Sequence, residues 1–196
     1  MSAQVSLMEM LDARERRVQH QQMLLQQYHK PLICFTMNIC GPVKDSPLIR
    51  RGFERGRQLL QQQFFRVKLT PLHGDVSREV TGCEAFYVLD ADPLFIKKFT
   101  TDIEDATPLG RLFDMDVLCP DGRKVEREEL HLPGRRCLIC GGPAKVCSSR
   151  RVHTVAELQA RTTAILTETM DTLDAATAAR QAVRALLYEV TTTPKP

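Results

Sequence analysis

The chain has 196 residues, 43% of them hydrophobic and 26% charged, with a formal net charge of +3. That balance fits a globular domain with its own core and excludes a disordered or fibrous chain. The charge is too small to mark a nucleic-acid binder, and no run approaches the ~20 apolar residues of a membrane span.

The start, Met1-Ser-Ala-Gln4, lacks the basic end and apolar run of a secretion signal. Seven cysteines is an odd count. Without an export signal it reads as reduced thiols in a cytoplasmic protein.

Ser6 and Glu9 have the spacing of a capping box and open a helix reaching about Tyr28, with the glutamines of 19–27 on its solvated face. Pro31 breaks it. Leu32–Ile39 is short, apolar and β-rich, and reads as a buried strand. A loop from Cys40 to Pro47 follows, with Ser46 capping a helix and Pro47 in its first turn. The expected continuation is a helix to about Gln63, strands over Phe64–Leu69 and Cys83–Leu89, and a loop between them holding His73, Gly74 and Asp75. Asp92 before Pro93 caps a helix to Asp105, and Thr107–Gly110 turns into a strand carrying Asp114 and Asp116. Pro120-Asp-Gly122 signals a turn and a returning hairpin strand over Lys124–Glu128. Residues 133–153 form a Gly-, Arg- and Cys-rich loop. Thr154 and Glu157 make a second capping box for a helix to about Thr169, and a last helix is expected near Ala175–Val190. The interleaving predicts an α/β (α+β) fold: a mixed sheet with flanking helices, a Cys-rich loop and C-terminal helices.

Three groups of residues carry candidate chemistry. In an extended strand Asp114 and Asp116 share a face, with Cα atoms roughly 6.5 Å apart. Two carboxylates so placed can share a divalent metal such as Mg²⁺, which suits phosphoryl or nucleotidyl transfer; the bland alternative is a pair of solvent-facing acids. Asp90 and Asp92 have the same spacing, but there a helix cap explains the aspartate. The loop Gly41–Ser46 precedes a helix start, where backbone N–H groups together with Lys44 and Arg50 can hold phosphate; a plain strand-to-helix turn is the competing reading. Cys137, Cys140, Cys147 and His153 have the ligand types and number of a structural Zn²⁺ site, against a reading as thiols packed under the last helices. Cys34, Cys40, Cys83 and Cys119 lie in or beside apolar runs and read as inert thiols.

These pieces coincide with a known family. Gly41-Pro-Val-Lys-Asp-Ser46, Arg50-Arg51, Pro108-Leu-Gly-Arg-Leu-Phe-Asp-Met-Asp-Val117, Pro120-Asp-Gly122 and Leu132-Pro-Gly-Arg-Arg-Cys-Leu-Ile-Cys140, with Ala144, Cys147, His153 and Leu158, follow in order through most of residues 6–170. The chain resembles the apo-citrate lyase phosphoribosyl-dephospho-CoA transferases. The resemblance implies transfer of phosphoribosyl-dephospho-CoA from triphosphoribosyl-dephospho-CoA to a serine of the citrate lyase acyl carrier (gamma) subunit, releasing diphosphate. It implies Asp114 and Asp116 as catalytic Mg²⁺ ligands. It implies donor contacts from Gly41, Lys44, Ser46, Arg50, Arg51, Gly110 and Arg111. Neither nucleic acid nor membrane is an expected partner. The site strand is also similar to the second half of a nucleotidyltransferase motif, without the Gly-Ser pair that opens it. That superfamily uses a third acid, for which Glu84, Glu126 and Glu128 are candidates. Two rival functions are the same transfer onto the malonate decarboxylase carrier and a non-enzymatic zinc-stabilised module binding RNA or protein. Residues 185–196 resemble the opening of triphosphoribosyl-dephospho-CoA synthase. The expected division is therefore a transferase domain over 1–170 and a helical tail over 171–196, read as the truncated start of a fused synthase against the alternative of an ordinary amphipathic terminal helix.

Overall fold

A computed structural model describes the backbone of residues 3–192 and the side chains of residues 3–181. Five helices are described: α1 (Leu7–Tyr28), α2 (Pro47–Arg66), α3 (Pro93–Asp105), α4 (Ala144–Ser149) and α5 (Val155–Thr192). They flank four strands, β1 (Leu32–Met37), β2 (His73–Glu79), β3 (Gly82–Val88) and β4 (Phe113–Leu118). This is the expected α/β architecture. The sheet runs β2-β3-β1-β4 and is antiparallel throughout, not mixed as expected. Each neighbouring pair of strands enters from opposite ends, so no parallel crossover arises.

Side-chain alternation divides the sheet into two unequal faces. Ile33, Phe35, Ala85, Tyr87, Phe113, Met115 and Val117 belong to the larger core, with Phe53, Leu60 and Phe64 of α2 and Ile96 and Phe99 of α3. Ile165, Leu166 and Met170 of α5 join this core over α2. On the other face a smaller cluster packs Leu24 and Leu25 of α1 onto Leu32, Cys34, Phe86, Val88 and Leu118. Cys34, Asp116 and Leu118 share this face, because Cys34 pairs with Asp116 and Leu32 with Leu118. It is covered at one end and open at the other.

The caps form as the sequence requires. Ser6 and Glu9 close their box, Ser46 accepts from the Ile49 N–H, and Asp92 accepts from the Phe95 N–H. Thr154 and Glu157 close the second box.

Five expected elements differ, the first being the Cys-rich loop over 133–153, which holds the short helix α4. Phe64–Leu69 is not a strand: α2 runs to Arg66, because Phe64 extends the buried stripe of Phe53, Gly56 and Leu60 at helical spacing while Phe65 is 87% exposed. The loop expected around His73, Gly74 and Asp75 is instead β2, a polar edge strand held by pairing along the whole of β3 across a tight turn. Lys124–Glu128 contributes a single bridge, Leu118 to Lys124, before a 3₁₀ turn over Arg127–Leu130. The two expected C-terminal helices are one, α5, because the Ala- and Thr-rich stretch between them contains no helix breaker. The expected domain division at residue 170 falls inside α5, and residues 193–196 of the tail lie outside the described residues.

Candidate active site and Cys/His cluster

β4 is an edge strand whose inward side chains, Phe113 and Met115, are fully buried. That register fixes Asp114 and Asp116 on the open face. Asp114 lies opposite Thr36, and Asp116 opposite Cys34. β1 and β3 pair Phe35 with Ala85. One further step in that register aligns Glu84 with Thr36 on the same face, roughly 10 Å from Asp114 across two strand spacings. Glu84 is therefore the one candidate third acid on the sheet itself. Its carboxylate is held by Arg17 of α1, with Nη2 at 2.6 Å. Glu126 and Glu128 border the cleft beside Asp114 and Asp116 from the segment after β4.

Several cations surround the acid pair. Lys124 Nζ is 2.6 Å from Asp116 Oδ1, and Arg135 Nη1 is 4.0 Å from Asp114 Oδ1. Lys97 of α3, only 5% exposed, reaches the Met115 carbonyl at 3.4 Å and lines the same cleft of about 490 Å³. Burial and the neighbouring Asp116 charge push the Asp114 carboxyl above its usual range, against the pull of Arg135. Burial draws Lys97 below the usual lysine value, opposed by Glu104 and Asp116. Burial acts on Lys124 in the same sense, but the Asp116 carboxylate outweighs it and holds that ammonium above its usual value. A like-charged carboxylate pair with hard oxygen donors fits a divalent cation, which would relieve the repulsion.

Beneath the pair lies a buried ionic hub. Glu104, 2% exposed, accepts the Met115 N–H at 2.8 Å, and its carboxylate meets Arg127 and Arg135 at 2.6 Å each. Arg127 also pairs with Asp105 at 2.8 Å. Arg135 donates to the Phe113 carbonyl at 2.5 Å. The hub thus locks β4 at the two residues flanking Asp114. Sequence reading had no signal for it, since Glu104 looks like an ordinary residue in the last turn of a helix.

The expected donor contacts are distributed rather than gathered. Lys44 shares a small cleft with Asp114, Glu84, Arg14 and Arg17, and donates to the Ile39 carbonyl at 2.5 Å. Burial, with repulsion from Arg14, draws it below the usual lysine value. Ser46 is occupied as a helix cap. Arg50 forks onto Asp45 and Arg51 pairs with Asp174, neither bordering the acid pair. Gly41 has φ +88°, and a Cβ there would sit 2.0 Å from Gln159 Nε2. Gly110 is required by packing: a Cβ would lie 2.4 Å from the Ile103 carbonyl oxygen. Arg111 donates to the Arg136 carbonyl and to Asp105.

The second group is compact. Cys137, Cys140, Cys147 and His153 bring one ligand atom each to within 4.8 Å of one another. A tetrahedral zinc with thiolates at about 2.3 Å would set neighbouring sulfurs roughly 3.8 Å apart. Cys140 and Cys147 Sγ are 3.5 Å apart. Gly141, at φ +71°, turns the knuckle, and its N–H reaches the Cys137 carbonyl at 3.1 Å. His153 Nε2 is buried with no hydrogen-bond partner, as a metal-facing nitrogen would be. Contact with Cys140 pushes the Cys147 thiol up to about 11. The donor set fits a structural metal. By contrast, burial pushes the Cys34 thiol up to about 12, which makes it inert at neutral pH.

Comparison with known proteins shows the family of the chain. The family described as apo-citrate lyase phosphoribosyl-dephospho-CoA transferase matches residues 5–169. A Citrobacter koseri protein of that name is 35% identical over 162 residues, covering 83% of this chain and 88% of the relative. An Escherichia coli relative of the same name is 34% identical over 168 residues, covering 84% and 90%. A longer Haemophilus influenzae relative, Protein CitXG, is 33% identical over 156 residues, which is 80% of this chain and 34% of that protein. The matches define an enzyme of the transferase class. The chain belongs to the apo-citrate lyase phosphoribosyl-dephospho-CoA transferase family.

Proposed function

We propose that this protein attaches phosphoribosyl-dephospho-CoA to a serine of the apo acyl carrier (gamma) subunit of citrate lyase, using triphosphoribosyl-dephospho-CoA as donor. The observation that carries this reading is the ledge of Asp114 and Asp116 on an open sheet face, flanked by Lys97, Lys124 and Arg135. The serine oxygen forms a bond to the ribose-proximal phosphorus, the bond from that phosphorus to diphosphate breaks, and the hydroxyl proton is released overall. Lys124 and Arg135 sit where they can neutralise the leaving polyphosphate, and the Glu104 hub holds Arg135 in place. Asp114 and Asp116 would hold Mg²⁺, which supplies charge neutralisation on the phosphates when bound. Glu84, aligned with them across Thr36, is the third acid of choice.

Zinc in the Cys/His cluster would be structural, because four protein ligands leave no open position. Among the described residues no helix is long and apolar enough to cross a membrane. The free cysteines are compatible with a reducing compartment, and we take the protein to be cytoplasmic.

The test is intact mass. Protein, donor, Mg²⁺ and apo-carrier should add the prosthetic group's mass to the carrier. Asp114→Ala and Asp116→Ala should each abolish the addition, and unchanged activity in either would refute the metal role. Parallel reactions with the malonate decarboxylase carrier decide carrier choice.

A further inference from the structure

Beside the acid ledge is a second cavity of about 550 Å³, between the Cys/His knuckle and the first turns of α5. This is ample for a nucleotide-sized group. Leu158 contributes apolar wall, and Arg111, Arg135, Arg136 and Arg151 bring four guanidinium groups to it. Arg111 and Arg135 are engaged with Asp105 and Glu104. Among the described residues, Arg136 and Arg151 have no carboxylate partner. Two uncompensated guanidinium groups on an apolar wall suit an anion with a flat or apolar body.

A second observation comes from α5. Thr162 lines this cavity, is 4% exposed, and its Oγ1 has no hydrogen-bond partner. Its neighbours on the same helix behave otherwise: Thr169, Thr172 and Thr177 each donate to the carbonyl four residues earlier. A buried hydroxyl left unpaired is costly, and at this cavity wall a small side-chain rotation would bring it to a ligand atom.

The cavity also connects to the chemistry. Arg135 lines both the cavity and the acid cleft, 4.0 Å from Asp114. One elongated ligand can therefore lie across both. Depth decides between a small molecule and a protein segment, because a hydroxyl as buried as Thr162 is beyond the reach of a carrier's outer surface.

We propose that this cavity holds the dephospho-CoA portion of the donor, its diphosphate against Arg136 and Arg151 and its body reaching Thr162, while the triphosphate end reaches Asp114 and Asp116. This rests on the transfer reading for the identity of the ligand. Cys137, Cys147 and His153 form part of the wall, so a metal in the cluster would hold the pocket open without touching the reaction.

The experiment is calorimetric titration of the full, zinc-loaded chain with dephospho-CoA, and separately with inorganic triphosphate plus Mg²⁺. The double variant Arg136→Ala/Arg151→Ala should weaken dephospho-CoA binding about tenfold or more, and Thr162→Val about fivefold, while Thr162→Ser stays near wild type. Triphosphate binding should stay within about twofold in all three variants and fall in Asp114→Ala. Melting curves check that each variant is folded. Absent dephospho-CoA binding by the wild type, or binding indifferent to these changes, overturns the proposal. So does a loss confined to apo-carrier affinity, which would make the cavity a protein dock. Dephospho-CoA binding requires no carrier, so the two readings fail separately. A wild type that modifies the carrier but shows arginine-independent binding sinks only the subsite. One that binds as expected yet modifies nothing sinks only the transfer reading.

Discussion

Replacing Glu104 with alanine removes the partner of two guanidinium groups and of one backbone N–H at once. Glu104 is 2% exposed and Arg127 is 8% exposed, so water cannot substitute. The Met115 N–H would be left without its acceptor, a loss of about 1–3 kcal/mol. Arg135 would lose the carboxylate at 2.6 Å and keep Asp114 at 4.0 Å, whereas Arg127 keeps Asp105 at 2.8 Å. Breaking one side of a buried pair costs about 3–5 kcal/mol, and the retained Asp105 keeps the total inside that range. For a chain of this size each kcal/mol lowers the melting temperature by about 2–4 °C, so Glu104→Ala should melt about 6–20 °C below wild type. Urea titration gives the free energy directly. A Glu104→Ala and Arg135→Ala double-mutant cycle should show coupling above about 1 kcal/mol. A single-variant loss below about 1 kcal/mol, or additive effects in the cycle, would refute the view that this hub fixes β4.

Asp114→Asn should raise metal-free stability by about 0.5 kcal/mol, a modest gain because the side chain is 47% exposed and solvent screens the repulsion. It should also abolish stabilisation by Mg²⁺, read by melting with and without the cation. The pH dependence follows from the raised pKa of Asp114. Above that folded-state value the ionised carboxylate destabilises the fold, and the penalty is relieved as pH falls toward the ordinary carboxylate range. Wild type should therefore gain on Asp114→Asn on acidification, and a gap that widens would contradict this. Gly110→Ala forces a Cβ against the Ile103 and Glu104 carbonyls. It should lose about 1–3 kcal/mol in urea unfolding and slow carrier modification, since β4 must shift. Cys140→Ser should lower bound zinc by elemental analysis. No residue of α4 is buried, so the damage should be local: faster proteolysis within residues 134–153 with little change in the main melting transition.

Local chemistry made much of this protein legible in its sequence. The caps at Ser6, Ser46, Asp92 and Thr154 lie within four residues of the N–H groups they serve, so spacing alone identifies them. The alternation around Asp114 and Asp116 placed both acids on one face, because a strand's period is two. Ligand spacing exposed the Cys/His cluster. Tertiary structure decided what local pattern could not. β2 is polar and became a strand only because β3 offers it a complete ladder. Phe64 satisfies either a strand or a helix, and the core over Leu60 chose the helix. Leu11, Val18 and Met23 are apolar, yet they are 46–49% exposed, since α1 covers the sheet chiefly through Leu24 and Leu25. Glu104, Arg135, Lys97 and Thr162 owe their roles to neighbours distant in the chain. A charge or hydroxyl acquires function from what surrounds it when buried, and burial is a property of the packed chain as a whole.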